Sequence, residues 1–255
     1  MKILLTNDDG IYADGLWALH DHLSKAHTVT VVAPDRERSA VGHAITLHKP
    51  LRTETVSVAG RGSGTAVTGT PADCVKLAIV EILESPPDMV VSGINPGANI
   101  GVNLNYSGTV SAAKEATFYG IPALAASVDG RSGRHYDEMS RFMGELVSRV
   151  LAQGLPFGTF LNVNLPDLSV RDMEGVRISR QAISTLSETF ERRRDPRKRL
   201  YFWHGLDSQN GFDHPETDIG ALHDRFISIT PVKCDMTDYE MMDAMKGWAD
   251  INLSL

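Results

Sequence analysis

The sequence predicts an α/β fold in which a mostly parallel sheet is covered by helices on both faces. Short apolar runs typical of buried strands alternate with helical patterns, as expected for strands joined by crossover helices. The first apolar run ends in two adjacent acids, Asp8 and Asp9, before a helical pattern begins. Ligands of open parallel sheets bind at the carboxyl ends of the strands, so we expect the functional site at this edge.

The first three elements form a βαβ unit. Residues 3–5 are an apolar run, and the helix that follows places Leu16, Leu19 and Leu23 on one face. Residues 29–33 then form a second buried-strand run. Two parallel neighbours therefore deliver their following loops to the same edge of the sheet.

The middle of the chain continues the alternation. The sequence Thr70-Pro71-Ala72-Asp73 supplies an N-cap, a proline at the first helical position and an acid at the third, and so begins a helix, which places Cys74 in the core. A strand is predicted at residues 88–92, and residues 93–99 are too rich in turn formers to continue it. Further elements follow as a short helix at about 109–119, a strand at 121–127 and a longer helix around Met139, Phe142, Leu146 and Val150.

The pattern changes after Gly154. Strands are predicted at 160–166, 176–179 and 226–232, followed by an amphipathic helix through Tyr239, Met242 and Met245. Residues 191–199 form a basic run without an apolar face, which favours a solvated hairpin loop over a nucleic-acid contact. Tyr201-Phe202-Trp203 resembles an exposed edge strand or a strand that contacts a partner. We expect one domain over residues 1–255, with a core at about 1–180 and an elaboration for assembly at about 181–255.

Composition limits the function. The chain has 255 residues, of which 42% are hydrophobic and 22% charged, so it can bury a large core. A formal net charge of -7 argues against nucleic-acid binding. The two cysteines, Cys74 and Cys234, form no zinc motif or disulfide framework, and no stretch has the length of a membrane span. The expected location is the cytoplasm.

The two adjacent acids indicate a metal site. Like charges side by side repel unless a cation neutralises them, although an Asp pair that merely caps a helix is the simpler alternative. Ser39 follows the second strand and Asn95 follows a third, so both are expected near Asp8 and Asp9. Carboxylate, hydroxyl and amide oxygens suit Mg²⁺ or Mn²⁺ better than zinc.

A phosphate-binding site is expected beside this metal site. The turn Ser107-Gly108-Thr109 opens a helix of small residues, and the first N–H groups of a helix have no partner within it. A cation-binding site and an anion-binding site would then lie at the same edge of the sheet.

Five sequence blocks together resemble the survival protein SurE family, whose members are metal-dependent nucleoside-monophosphate phosphatases. The blocks begin with Asn7-Asp8-Asp9-Gly10 and include Ala33-Pro34-Asp35-Arg36-Glu37-Arg38-Ser39, Gly69-Thr70-Pro71-Ala72-Asp73-Cys74-Val75, Val91-Ser92-Gly93-Ile94-Asn95-Pro96-Gly97-Ala98-Asn99 and Tyr106-Ser107-Gly108-Thr109-Val110-Ser111-Ala112-Ala113. The resemblance implies that Asp8, Asp9, Ser39 and Asn95 bind one divalent ion per subunit, and that Ser107-Gly108-Thr109 binds phosphate. It also implies a Rossmann-like core, a swapped C-terminal arm and a homodimer or homotetramer.

The expected activity is hydrolysis of nucleoside 5′- and 3′-monophosphates, with short polyphosphate as a further substrate. Asp8, Asp9 and Asn95 are the expected catalytic residues, with Asp8 or Asp9 accepting the proton of the attacking water. His43 is a candidate general acid, although a lone histidine is more often structural. The alternative function is a non-enzymatic sensor that binds metal and nucleotide at the same site without turnover.

Overall fold

The computed structural model describes residues 1–183, 186–187, 189–205, 208–209 and 214–250. Within these residues the strands are β1 (Lys2–Thr6), β2 (Thr28–Pro34), β3 (Thr53–Val58), β4 (Gly62–Val67), β5 (Met89–Pro96), β6 (Ala123–Asp129), β7 (Thr159–Pro166), β8 (Gly175–Ile178), β9 (Leu186–Ser187), β10 (Phe190–Arg194), β11 (Leu200–His204), β12 (Ser208–Gln209) and β13 (Phe226–Lys233). The α-helices are α1 (Asp14–Leu23), α2 (Pro71–Leu77), α3 (Gly108–Phe118), α4 (Tyr136–Gln153), α5 (Asp218–His223) and α6 (Tyr239–Ala244). None of the helices in the described ranges is long and apolar enough to cross a membrane.

Nine of the described strands form one sheet, in the order β3-β4-β2-β1-β5-β6-β7-β13-β8. The six strands from β4 to β7 in this order are parallel to their neighbours, whereas β3 and β13 pair antiparallel to β4 and β7. The predicted mostly parallel α/β sheet is confirmed. The β3–β4 hairpin was not predicted, because its strands are rich in Thr, Ser and Gly and lack an apolar run.

Helices cover both faces of the sheet and bury a core on each. On one face α1 packs against α4, and the core there includes the fully buried Trp17, whose Nε1 donates to the Ile11 carbonyl at 2.6 Å. On the other face α2 packs against α3, around Cys74 and Phe160. Each large apolar side chain buried in this way contributes roughly 1.5–3 kcal/mol to the free energy of unfolding. The sheet therefore lies between two apolar cores, and the loops that follow its parallel strands meet at one edge.

The predicted start of α2 is confirmed in detail. Thr70 caps the helix by accepting from the Asp73 backbone N–H at 3.1 Å, and the Asp73 carboxylate accepts from the Thr70 backbone N–H at 2.9 Å. Asp73 also accepts from the backbone and hydroxyl of Thr46, so the cap ties a long loop to the helix. Beyond Leu77 the helix continues as a single π-helical segment, Ala78–Ile82.

The basic run is partly strand. Its first residues lie in β10, which pairs antiparallel with β11, and the turn between them occupies residues 195–199. The predicted exposure is confirmed, but the prediction of a loop throughout was wrong, because cross-strand pairing fixes residues 191–194. On β11, Phe202 and Trp203 are 58% and 59% exposed, so within the described structure they pack into no core.

Candidate active site

The predicted site residues come together at the carboxyl edge of the sheet. The loops after β1, β2 and β5 and the start of α3 surround a cleft of about 1000 Å³. Asp8, Asp9, Ser39, Asn95 and Ser107 all line it. Residues from four separate segments of the sequence therefore face one space, as the parallel strand order requires.

Asp8 is buried against the start of α3. Thr109 donates its hydroxyl to Asp8 Oδ1, and the backbone N–H groups of Gly108 and Thr109 face the carboxylate and lower its pKa. Burial raises the pKa of Asp8, and these hydrogen bonds oppose that rise. The first N–H groups of α3 are thus directed at Asp8, which fixes its carboxylate at the base of the cleft.

One carboxylate oxygen of Asp9 has no hydrogen-bond donor among the described residues. Its Oδ2 is buried and accepts no hydrogen bond from the described residues. Burial, followed by the charges of Asp8 and Glu37, raises the pKa of Asp9 to about 7, and Arg131 opposes that rise. A buried, unpartnered carboxylate oxygen beside a second carboxylate is the environment that a bound cation stabilises.

Ser39 lies on an exposed loop that is hydrogen-bonded to Asp8 and to the segment just before α3. The backbone N–H of Arg38 donates to the Asp8 carbonyl at 2.6 Å, and that of Gly42 donates to the Tyr106 carbonyl at 2.9 Å. The Ser39 hydroxyl donates its proton to Glu37 Oε1 at 2.6 Å. The lone pairs of Ser39 Oγ are therefore available to bind a metal ion. Glu37 also lines the cleft and was not predicted. Its place in the charged segment before Ser39 was the signal that could have identified it.

Asn95 is presented by an irregularity in β5. The pairing of β5 with β6 shifts register between Ser92 and Asn95, so the strand departs from regular geometry where it reaches the site. The Asn95 side-chain Nδ2 donates to the Gly97 carbonyl at 2.6 Å. That bond assigns the nitrogen end of the amide to the loop and leaves Oδ1 for a ligand.

The four oxygen-bearing residues fit a hard divalent cation. Among the described residues, no three His, Cys, Asp or Glu side chains cluster as a metal site. The donor set is instead two carboxylates, one hydroxyl and one amide oxygen. Such a set suits Mg²⁺ or Mn²⁺, which keep several water ligands, and does not suit zinc.

In the turn Ser107-Gly108-Thr109, Ser107 both caps α3 and lines the cleft. Ser107 is the N-cap of α3 and accepts from the Val110 backbone N–H at 3.1 Å. Its hydroxyl proton donates to no described residue, and the side chain lines the cleft. Because the Thr109 hydroxyl donates to Asp8 and the Gly108 and Thr109 N–H groups face the same carboxylate, the Ser107 hydroxyl is the donor of this turn left for an anion.

Asn99 also lines the cleft and is anchored from behind. Its backbone N–H donates to Asn164 Oδ1 and its Nδ2 donates to Ser127 Oγ, each at 2.8 Å. Its carbonyl accepts from the side chains of Asn162 and Asn164. Sequence reasoning missed the two buried β7 asparagines, whose polar side chains in an otherwise apolar strand were the available signal.

His43 lies behind the site. Its Nε2 is 2.7 Å from Glu115 Oε2, and Lys76 Nζ is 2.7 Å from the other oxygen of the same buried carboxylate. His43 is not among the described residues that line the cleft. This arrangement favours the structural interpretation of His43 over a general acid.

Comparison with known proteins agrees with the geometry. Residues 3–188 match the family described as Survival protein SurE. The chain is 54% identical over 248 residues to the 5'-nucleotidase SurE of Desulfatibacillum aliphaticivorans, which covers 97% of this chain and 98% of the relative. It is 49% identical over 248 residues to the 5'-nucleotidase SurE of Syntrophobacter fumaroxidans, with 97% and 99% covered.

The fold matches a solved structure of the same family. The crystal structure of the SurE protein from Aquifex aeolicus superposes with a TM-score of 0.85 at 37% identity, covering 98% of this chain and 100% of that one. The family match spans more than half of the chain, and the relatives align over nearly its full length. The resemblance inferred from five sequence blocks is therefore confirmed, and the chain belongs to the SurE family.

Proposed function

We propose that this chain is a divalent-metal-dependent phosphatase that hydrolyses nucleoside 5′- and 3′-monophosphates to nucleoside and phosphate. The observation that carries the proposal is the pair Asp8 and Asp9 in one cleft, with Asp9 Oδ2 buried and unpartnered by the described residues. Two relatives, 54% and 49% identical over nearly the full chain, are named 5'-nucleotidase SurE.

We assign the metal ligands to Asp8, Asp9, Ser39 and Asn95, with one Mg²⁺ or Mn²⁺ in each subunit. A bound divalent cation would supply positive charge for the phosphoryl oxygens and make a water molecule more acidic. The protein holds the ligands in place: Thr109 and the start of α3 fix Asp8, and the Gly97 carbonyl fixes the amide of Asn95.

The catalytic assignments are Asp8, Asp9 and Asn95. Thr109 donates to the Asp8 carboxylate, whereas no described residue donates to Asp9 Oδ2, so we assign Asp9 as the acceptor of a proton from the attacking water. The turn Ser107-Gly108-Thr109 faces the phosphoryl group, with the Ser107 hydroxyl as its direct donor. Gly108 and Thr109 contribute by holding Asp8.

The substrate range is also part of the proposal. The cleft is about 1000 Å³, which admits a nucleoside monophosphate and also a short polyphosphate chain. Phosphate release from both classes, measured with one enzyme preparation, ranks them.

We further propose a single domain over residues 1–255 in a cytoplasmic protein, with a core at about 1–180 and an assembly arm at about 181–255 that forms a homodimer or homotetramer. The exposed aromatic residues of β11 support the arm, and the two free cysteines, Cys74 and Cys234, support a reducing compartment. Residues 184–185, 188, 206–207, 210–213 and 251–255 of this arm lie outside the described residues.

The test is phosphate release from a panel of 5′- and 3′-nucleoside monophosphates with Mg²⁺, Mn²⁺ or a chelator. We expect metal-dependent turnover that falls at least 100-fold in Asp8→Asn, because the change removes a charged ligand and keeps its shape. Asp21→Asn, the same change on an exposed part of α1, is the matched control and should retain wild-type turnover. If the protein binds metal and nucleotide but releases no phosphate, the proposed enzymatic function is rejected and the alternative, a non-enzymatic sensor, is supported.

A further inference from the structure

An arginine that sequence reasoning missed lines the cleft. Arg131 follows β6 and shares the lining with Asp8, Asp9 and Ser107. The β6 strand neighbours β5, so its loop emerges at the same edge as Asn95. The signal in the sequence was its place at the carboxyl end of a parallel strand.

The loop that carries Arg131 is held on both sides. The Ser132 hydroxyl donates to Asp167 Oδ1 at 2.8 Å, and a side chain at Gly130 would meet Asp167 Oδ2 at 2.2 Å. The backbone N–H groups of Gly130 and Gly97 both donate to the Val128 carbonyl, each at 2.9 Å. The loops of Asn95 and Arg131 are thus joined through one carbonyl, which fixes Arg131 relative to the metal ligands.

Arg131 has no internal structural partner among the described residues. Its side chain is exposed and makes no hydrogen bond or ion pair with any residue that the structure describes. Two arginines near the same edge are paired, in contrast: Arg38 pairs with Asp35 at 3.2 Å, and Arg61 pairs with Asp14 at 3.1 Å. A positioned but unpaired guanidinium is available to a ligand.

The charge of the cleft requires such a group. Asp8, Asp9 and Glu37 bring three carboxylates to the lining, and a divalent cation would offset two of these charges. Among the described lining residues, Arg131 is the one arginine or lysine that can offset the third. Without it, a phosphate dianion would enter a cleft that stays negative.

We propose that Arg131 binds the phosphoryl group of the substrate, donating guanidinium N–H groups to its non-bridging oxygens. The planar guanidinium suits two parallel hydrogen bonds to phosphate, which a lysine cannot make. The proposal rests on the proposed phosphatase function. It extends that function, because the first N–H groups of α3 face Asp8 and Arg131 is the one described arginine or lysine of the lining that can donate to an anion.

The experiment compares wild type with Arg131→Ala, Arg131→Lys and Arg134→Ala. Arg134 is an exposed arginine on the same loop and is not among the described residues that line this cleft, so it is the matched control. Three quantities are measured: the KM and kcat for AMP with Mn²⁺, the inhibition constant of inorganic phosphate, and the shift in Tm that inorganic phosphate causes.

We expect Arg131→Ala to raise both the KM and the phosphate inhibition constant by about tenfold or more, the range of a lost charge-assisted hydrogen bond. Arg131→Lys should recover part of the loss, and Arg134→Ala should match wild type. The Tm without phosphate should stay close to that of wild type, because Arg131 makes no hydrogen bond or ion pair with any described residue.

Three outcomes overturn the proposal. These are unchanged constants in Arg131→Ala, an equal loss in Arg134→Ala, and a raised KM with an unchanged phosphate inhibition constant, which would place Arg131 at the nucleoside. If wild type releases no phosphate, the proposed function fails. The phosphate-induced Tm shift still tests Arg131 in that case, so the two failures are distinguishable.

Discussion

Replacing Gly108 with alanine tests how closely the start of α3 holds Asp8. An alanine Cβ at this position would lie 2.7 Å from Asp8 Cβ and 3.1 Å from Pro71 Cγ. Ordinary contact begins at about 3.4 Å, so Asp8 must retreat by about 0.7 Å. The φ angle of Gly108 is not in the left-handed region, so the backbone itself accepts alanine.

The expected effect is large on activity and small on stability. Displacement of a reacting group by about 1 Å costs on the order of 100-fold, so we expect kcat/KM to fall by about 10- to 100-fold. Overpacking costs about 1–3 kcal/mol, and the better helix propensity of alanine returns up to about 1 kcal/mol. With the middle value of each range, the free energy of unfolding should therefore fall by about 1–2 kcal/mol.

The assay is steady-state phosphate release, together with calorimetric titration of Mn²⁺ into the protein. Gly247→Ala is the control, because no atom lies within 4 Å of its added Cβ and its φ is also outside the left-handed region. If Gly108→Ala kept wild-type kcat/KM and Mn²⁺ affinity, the contact between α3 and Asp8 would not position the metal ligand.

Two further predictions concern stability and assembly. Glu115→Gln should lower the free energy of unfolding by about 2 kcal/mol at pH 7, because the buried carboxylate loses its charge-assisted bonds to His43 and Lys76. Burial raises the pKa of Glu115, but its hydrogen bonds to His43 and Lys76 outweigh burial and leave the pKa below its usual value of 4.5. The contribution of Glu115 is therefore complete above about pH 4.5 and is lost as the pH falls further, so the free energies of unfolding of the two proteins, measured by urea titration, should converge as the pH is lowered below 4.5. Replacing Phe202 and Trp203 with serine should shift sedimentation toward the monomer, since both are exposed on β11; an unchanged sedimentation coefficient would argue against the hairpin as an interface.

The sequence by itself determined which residues reach the site, because their positions follow from the order of the parallel strands. It also determined features whose partners are close together in the chain. The two acids follow β1 directly, and Ser39 and Asn95 follow β2 and β5, so a parallel sheet had to bring them to one edge. The capping box of α2 was also predictable, because all its partners lie within four residues of each other.

The contacts between residues that are far apart in the sequence depend on the tertiary structure. The start of α3 was predicted as a phosphate site, but its first N–H groups face Asp8 and the Thr109 hydroxyl donates to that residue, which lies 101 positions away in the chain. Only the packing of α3 on the sheet sets that separation. The position of the loop that carries Arg131 depends in the same way on a remote residue, because the Ser132 hydroxyl donates to Asp167. Periodicity and capping act between neighbours in sequence, and they specify which elements form and at which edge; which donor satisfies which acceptor follows from how those elements pack.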